Sequence, residues 1–210
     1  MFLKDKKLRK MINEFHTAFS GLHTALEENL EVSIKARVTA EQKNLEDIVF
    51  IININQFVII FAYDLSVLMP DLLITEAGWR RKLHARLLAL SISEFFEDIT
   101  ELLGKNFRNK VELLGDKLIS FDRLNAIMKQ LNQLRLKHEK DLRSIRNIAI
   151  GHRDKDAKTQ LDLINNLDVE GLQFLAKDVM EWLKSIIKFL TGVINKIAQE
   201  SENKTYKSKA

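Results

Sequence analysis

The sequence predicts an all-α protein, folded as an antiparallel bundle of about five long helices. Its 210 residues include one proline and seven glycines, too few breakers for the many turns that a sheet protein of this size needs. Apolar residues make up 46% and charged residues 30% of the chain, a balance typical of a folded domain with a sizeable core. Apolar side chains also recur at three- and four-residue steps, which indicates helices with one buried face.

Breaker and capping residues set the predicted bounds of these helices. Thr39 opens a possible capping box, which would start the second helix. Pro70 ends the second helix, Gly104 the third and Gly151 the fourth, and Asp168 is the predicted N-cap of the last. Residues 152–167 are polar and are predicted to form a loop with a short turn. The predicted long helices cover residues 3–37, 40–69, 75–103, 120–150 and 168–199, with a short element at 110–114.

The most apolar segment, Ile48 to Tyr63, permits other interpretations. Its β-branched residues also suit a strand. Asp47 and Asp64 bracket 16 residues, fewer than the roughly 20 that cross a bilayer as a helix. We therefore predict a buried core helix and no membrane span.

The cysteine count and the N-terminal residues bear on compartment and chemistry. The chain contains no cysteine, which excludes disulfides, cysteine nucleophiles and thiolate metal sites. Lysines near the N-terminus are not followed by an uninterrupted apolar stretch, so no secretory signal is predicted. We expect a cytoplasmic protein with no cofactor, no metal and no membrane contact.

The excess positive charge is concentrated in one short window. The whole chain has 33 basic and 29 acidic residues, and residues 135–158 alone hold eight basic and four acidic ones. The rest of the chain is therefore neutral. Such a concentration attracts phosphate, although a solvated helix face produces the same pattern.

Three residues in this window offer a chemistry. Arg146 provides planar donors that match phosphate oxygens, Asn147 an orienting amide, and His152 an imidazole that exchanges protons near neutral pH. RNA carries its own nucleophile, the 2′-hydroxyl. These groups would therefore suffice to cleave RNA without a metal or a protein nucleophile.

The spacing of these residues sets a geometric condition. In a straight helix Arg146 and His152 would be about 240° apart around the axis and about 9 Å apart along it, on different faces. Gly151 can end the helix and redirect His152. Alternatively, a twofold axis could combine Arg and His from two chains.

This element resembles the signature of the HEPN superfamily, helical domains named for nucleotide binding in higher eukaryotes and prokaryotes. The signature is an Arg, usually followed by Asn, Asp or His, and then a His after four to six residues. Arg146, Asn147 and His152 fit it with five intervening residues, and the following Arg153-Asp154 also resembles bacterial members. The tyrosine that some family toxins carry two residues after the His is absent here.

The resemblance implies a homodimeric, metal-independent endoribonuclease, of a kind often found in toxin–antitoxin pairs or in defence against phage. In that scheme His152 is the acid/base, Arg146 holds the scissile phosphate and Asn147 supports both. RNA and an antitoxin or other partner protein are the expected partners. Further RNA contacts are predicted from the basic window at Arg143, Arg153 and Lys155.

The resemblance covers residues 72–200 best. We expect a single helical domain over residues 1–200, in which residues 1–71 form an N-terminal helical pair. Residues 201–210 are polar and lysine-rich and are predicted to be a flexible basic tail.

Two other functions remain open at this stage. A non-catalytic helical module could bind RNA, a nucleotide or a partner subunit. A membrane-surface bundle could use the lysine-rich ends of the chain.

Three other sets of residues have simpler interpretations. Arg9 and His16 repeat the Arg-to-His spacing, but Lys10 follows the arginine. His138 is predicted to be a surface group. The acidic run on the third helix, from Glu94 to Glu101, is interpreted as a solvated face that could alternatively complement the basic window.

Overall fold

The computed structural model describes residues 2–75, 78–114, 121–147 and 156–207, which form seven helices and no strand. The all-α prediction is therefore confirmed. The helices are α1 (Phe2–Gln42), α2 (Glu46–Ile74), α3 (Trp79–Leu102), α4 (Lys105–Leu114), α5 (Phe121–Ser144), α6 (Ala157–Asn165) and α7 (Val169–Lys207).

The first two helices pack against each other as an antiparallel pair. Late in α2, Tyr63 donates a hydrogen bond to Glu27 at 3.0 Å. Early in α2, Asn53 accepts one from Arg37, which lies ten residues further along α1, at 3.4 Å. The order of these contacts shows that α1 and α2 run in opposite directions.

The core lies where α2, α3 and α7 meet. The ring of Phe95 in α3 stacks on Phe61 of α2, with centroids 3.7 Å apart, and meets the edge of Trp182 of α7 at 5.8 Å. Trp182 is fully buried, and its indole nitrogen donates to the carbonyl of Ile127 at 2.9 Å. This bond connects α5 to the core.

Helix α2 is the apolar segment whose structure was open to several interpretations. It is helical throughout and contributes the fully buried side chains Ile51, Ile54, Val58 and Leu65. By length and composition alone, residues 46–73 could also cross a membrane, since the mean hydropathy of an 18-residue stretch within them is 1.9. In the bundle, 56% of that apolar stretch is buried.

The predicted capping box at Thr39 is wrong, because α1 continues through it to Gln42. The Thr39 hydroxyl donates back to the carbonyl of Lys35 at 3.0 Å, as threonines inside helices do. Glu41, in the same segment, forms an ion pair with Arg37, in which Nε lies 2.8 Å from a carboxylate oxygen. The chain turns instead at Asn44, whose φ of 55° lies in the left-handed region that asparagine tolerates.

Pro70 does not end α2, which continues to Ile74. A proline within a helix removes one hydrogen bond to the fourth preceding carbonyl. The last turn is supported by Arg81, whose Nε donates to the carbonyl of Leu72 at 3.2 Å. Pro70 and Leu72 are both buried, so packing keeps the turn helical where the local sequence predicts an end.

Later boundaries follow the predictions in part. Asp168 caps α7 as predicted, since its carboxylate accepts from the amide of Gly171 at 2.8 Å. The polar stretch before it contains the short helix α6, capped by Asp156, which accepts from the Lys158 amide and the Thr159 hydroxyl. Helices α3 and α4 begin at Trp79 and Lys105, not at residues 75 and 110, and α7 passes the predicted end to reach Lys207.

Candidate nucleic-acid interface

The candidate site begins at the carboxyl end of α5. One face of this helix, including Leu124, Leu131 and Leu142, is buried against the core, which leaves most of its basic residues on the outside, whereas Arg135 is half-buried. After Ser144 the backbone changes to a π turn over residues 145–147. The backbone therefore departs from the predicted α-helix at residue 145, and the wider turn contains Arg146 and Asn147.

Arg146 is held by two carboxylates of α3. Its Nε lies 2.7 Å from an oxygen of Glu94, and its Nη1 lies 2.8 Å from an oxygen of Glu97. The two glutamates lie three residues apart and so share one face of α3. We call Arg146, Glu94 and Glu97 together the Arg146 clamp.

The clamp fixes the plane and the direction of the guanidinium. A guanidinium has five donor hydrogens. In the clamp, Nη1 donates one of them to Glu97, and Nε forms an ion pair with Glu94. Among the residues that the structure describes, no acceptor lies on Nη2. The Arg146 side chain as a whole keeps 29% of its surface exposed, so the clamp is open to solvent.

The clamp also changes the local charge. The acidic run is solvated at Glu94 and Glu97, which keep 46% and 54% of their side chains exposed, and these two residues also complement the basic window across the bundle, as the alternative interpretation predicts. The described parts of that window, residues 135–147 and 156–158, hold six basic and three acidic residues. The two glutamates lower its net charge from +3 to +1, so α3 screens much of the field that the sequence predicts.

Two other predicted site residues share a groove on the outer side of α5. Asn147 and Arg143 both line it, together with Lys140, in a volume of about 560 Å³. Arg143 pairs with Glu139 at 2.9 Å and keeps 63% of its side chain exposed. The groove therefore presents an amide, two cations and the carboxylate of Glu139 to solvent, and Asn147 in its lining directly follows Arg146 of the clamp.

The remaining predicted residues, His152, Arg153 and Lys155, lie outside the residues that the structure describes, as does Gly151. The juxtaposition of Arg146 and His152 therefore stays a prediction. The structure supplies the arginine half of the pair and its orientation.

His138 is half-buried, which corrects its interpretation as a surface group. Its Nε2 is buried without a hydrogen-bond partner, and burial together with nearby Lys137 lowers its pKa. It lines a cavity of about 380 Å³ between α5 and the start of α7. The spacing of His138 from Leu142 and Ile145, four and seven residues on, already indicates a shared buried face.

Within the described ranges, no group of three or more histidine, aspartate or glutamate side chains is placed to hold a metal ion. The chain matches no protein-family model, no curated protein and no solved structure. The relationship to the HEPN superfamily is therefore a prediction carried by the residues from Arg146 to His152 alone.

Proposed function

We propose that the protein is a metal-independent endoribonuclease of the HEPN type that acts as a cytoplasmic homodimer. The Arg146 clamp is the observation that carries this proposal. An arginine whose only task is solubility needs no fixed direction, whereas this one is oriented by two carboxylates and has no described acceptor on Nη2. A guanidinium that is already oriented before RNA binds can stabilise the charge that develops on phosphorus without first reorganising.

The groove beside the clamp supports RNA as the ligand. Lys140, Arg143 and Asn147 present two cations and an amide, which suit phosphate and sugar oxygens. The groove has an exposed leucine, Leu136, at its edge, where a base could pack. An RNA strand along this groove would bring a phosphate towards Nη2 of Arg146.

The chemistry needs no group beyond the predicted set. His152 takes the proton of the 2′-hydroxyl, and the 2′-oxygen forms a bond to phosphorus as the bond to the 5′-oxygen breaks. An imidazolium delivers a proton to that leaving oxygen, and Arg146 stabilises the negative charge on phosphorus. The products are a 2′,3′-cyclic phosphate and a 5′-hydroxyl.

A homodimer would provide both imidazoles that this sequence of proton transfers uses. The reaction needs one imidazole as a base and one as an acid, but each chain supplies only one His152. A twofold axis would bring two His152 side chains to one site. An enzyme of this kind suits a toxin or a phage-defence protein held inactive by a partner protein.

The first test is RNA cleavage in the presence of EDTA. The wild-type protein should cleave, and His152→Ala should lose about 10²- to 10⁴-fold in rate while keeping its circular dichroism spectrum. His16→Ala is the matched control, because it removes the His of the other Arg-to-His spacing in the chain, and it should cleave as wild type does. Cleavage that depends on a divalent metal, or that survives in His152→Ala, would contradict the proposal.

A second test determines whether the Arg146 and His152 of one active site come from the same chain or from two chains. Arg146→Ala and His152→Ala proteins should each be inactive alone. If Arg146 of one chain works with His152 of the other, each mixed dimer regains one Arg146–His152 pair but has a single His152 imidazole, so mixing should recover only the part of the activity that one imidazole supports. If both residues act within one chain, the mixture stays inactive.

The clamp also favours one alternative, a helical module that binds RNA or a partner protein without chemistry. Arg146 with Glu94 and Glu97 carries a net charge of −1, so the clamp itself opposes the approach of phosphate, and RNA would bind through the cations of the groove, Lys140 and Arg143. This alternative predicts RNA binding that weakens steeply with salt and no cleavage product under any condition.

A further inference from the structure

A second groove, separate from the basic window, lies where α1, the end of α2 and the start of α7 meet. It has a volume of about 350 Å³. Leu72 at its floor is fully buried, whereas Leu73 and Phe174 are 39% and 70% exposed. Its apolar walls are formed by Phe19, Met69, Leu72, Leu73 and Phe174.

The polar side chains described in this groove, Gln173 and Lys177, are both on α7. Gln173 and Lys177 lie four residues apart and therefore on one face of the helix. The amide nitrogen of Gln173 is buried and has no hydrogen-bond partner. The terminal torsion of a glutamine is soft, so this donor can turn towards an oxygen placed in the groove.

Lys177 gives the groove a positive charge. Of the residues that the structure describes, none that lines the groove carries a carboxylate. Glu181, one turn further along α7, is already bound by Lys184 at 2.7 Å. Among the residues that the structure describes, Lys177 has no ion-pair partner, so its ammonium is available to an anion.

We propose that this groove binds a medium-chain carboxylate, a small ligand with an apolar tail and a single anionic head. The tail lies between Phe174 and the leucines of α2, where it covers apolar surface that is now exposed. The head accepts hydrogen bonds from Lys177 and Gln173. The volume lies at the lower end of the range of about 300–1,000 Å³ for small-molecule pockets, which favours a chain of about eight carbons.

The test compares three ligands that share an eight-carbon tail and differ in the head: octanoate, octanol and octylamine. Each is titrated into the full-length protein below its micelle concentration, with calorimetry and the thermal midpoint as measurements. Octanoate should bind tightest and octylamine weakest, with about two- to fivefold between steps, as expected for an exposed ion pair. Binding should show a negative heat-capacity change, the mark of apolar burial.

Variants at exposed positions distinguish the contribution of the ligand's anionic head to the affinity from that of its apolar tail. Lys177→Gln should remove the advantage of octanoate over octanol, and Lys177→Glu should make octylamine the tightest ligand. Phe174→Ala should weaken all three ligands by several-fold, because it removes one wall. Lys188→Gln is the matched control, an exposed lysine further along α7 that does not line the groove.

Several outcomes would overturn the proposal. One is equal affinity for octanoate and octylamine, and another is an order of affinities that Lys177→Glu leaves unchanged. Binding to anionic phosphatidylglycerol vesicles without saturable octanoate binding would assign the groove to a membrane surface. Self-association that Phe174→Ala abolishes, with no ligand binding, would assign it to a second copy of the chain.

Discussion

Replacing Arg146 with alanine should destabilise the fold, because it leaves Glu94 and Glu97 as like charges one helical turn apart on α3. The side chains of the clamp keep 29%, 46% and 54% of their surfaces exposed, so solvent screens both ion pairs. Exposed ion pairs contribute about 0.2–1 kcal/mol each, and a like-charge pair at this spacing opposes helix formation by a few tenths. We therefore expect a loss of about 1–2 kcal/mol.

Urea denaturation of a mutant cycle measures this coupling. The Arg146→Ala variant should lose more stability than a triple variant that also carries Glu94→Gln and Glu97→Gln, because the triple variant has no unpaired charge. The difference should shrink at high salt, which screens exposed charges. Additive effects of the three substitutions, or a difference that salt leaves unchanged, would refute the account of the clamp.

Arg143→Ala provides the matched control for that cycle. Arg143 pairs with Glu139 four residues earlier on the same helix, at a similar distance of 2.9 Å. A pair of this kind contributes about 0.3–0.5 kcal/mol. Its loss should be smaller than that of Arg146→Ala, because no second carboxylate is left unpaired.

Three further predictions concern the core and the helix caps. Trp182→Phe should cost about 1–3 kcal/mol in chemical denaturation, since it removes buried volume and the bond to the carbonyl of Ile127; an unchanged midpoint would contradict the packing described for α7. Asp168→Ala should cost about 1 kcal/mol in the same assay, as loss of an N-cap does, while Asp168→Asn should retain most of the stability. Hydrogen bonds from the hydroxyl and amide groups of the first turn of α6 lower the pKa of Asp156 below its ordinary value of 3.8. An acid with a lowered folded-state pKa stabilises the fold above its unfolded-state pKa and loses that contribution as the pH falls through the folded-state value. Wild type should therefore exceed Asp156→Ala in stability at pH 6, and the gap should narrow below about pH 4.

The fold class was predictable because each helix carries its own apolar period, which needs no knowledge of the partner surface. The N-cap at Asp168 was predictable for the same reason, since a cap is made within one turn. Thr39 and Pro70 misled the prediction of boundaries, because their local signals compete with long-range packing that continues α1 and α2. The local sequence determines where a helix ends only if tertiary contacts favour neither its continuation nor its end.

The candidate site was predictable only in part. The residue types at Arg146 and Asn147, and the basic charge around them, follow from the sequence. The carboxylates that hold Arg146 lie 49 and 52 residues earlier, on another helix, so no local spacing indicates them. The acidic run on α3 was the available signal, and it becomes specific only when the packing of α3 against α5 is known.

The most direct measurement of the central claim is the chemistry of the RNA ends after cleavage in EDTA. An arginine–histidine centre that uses the nucleophile of RNA itself must leave a 2′,3′-cyclic phosphate and a 5′-hydroxyl. It must also spare a strand in which the ribose at the cleaved position carries a 2′-O-methyl group. Cleavage of the methylated strand, 3′-hydroxyl and 5′-phosphate ends, or an intact substrate after long incubation with the folded protein would contradict the claim.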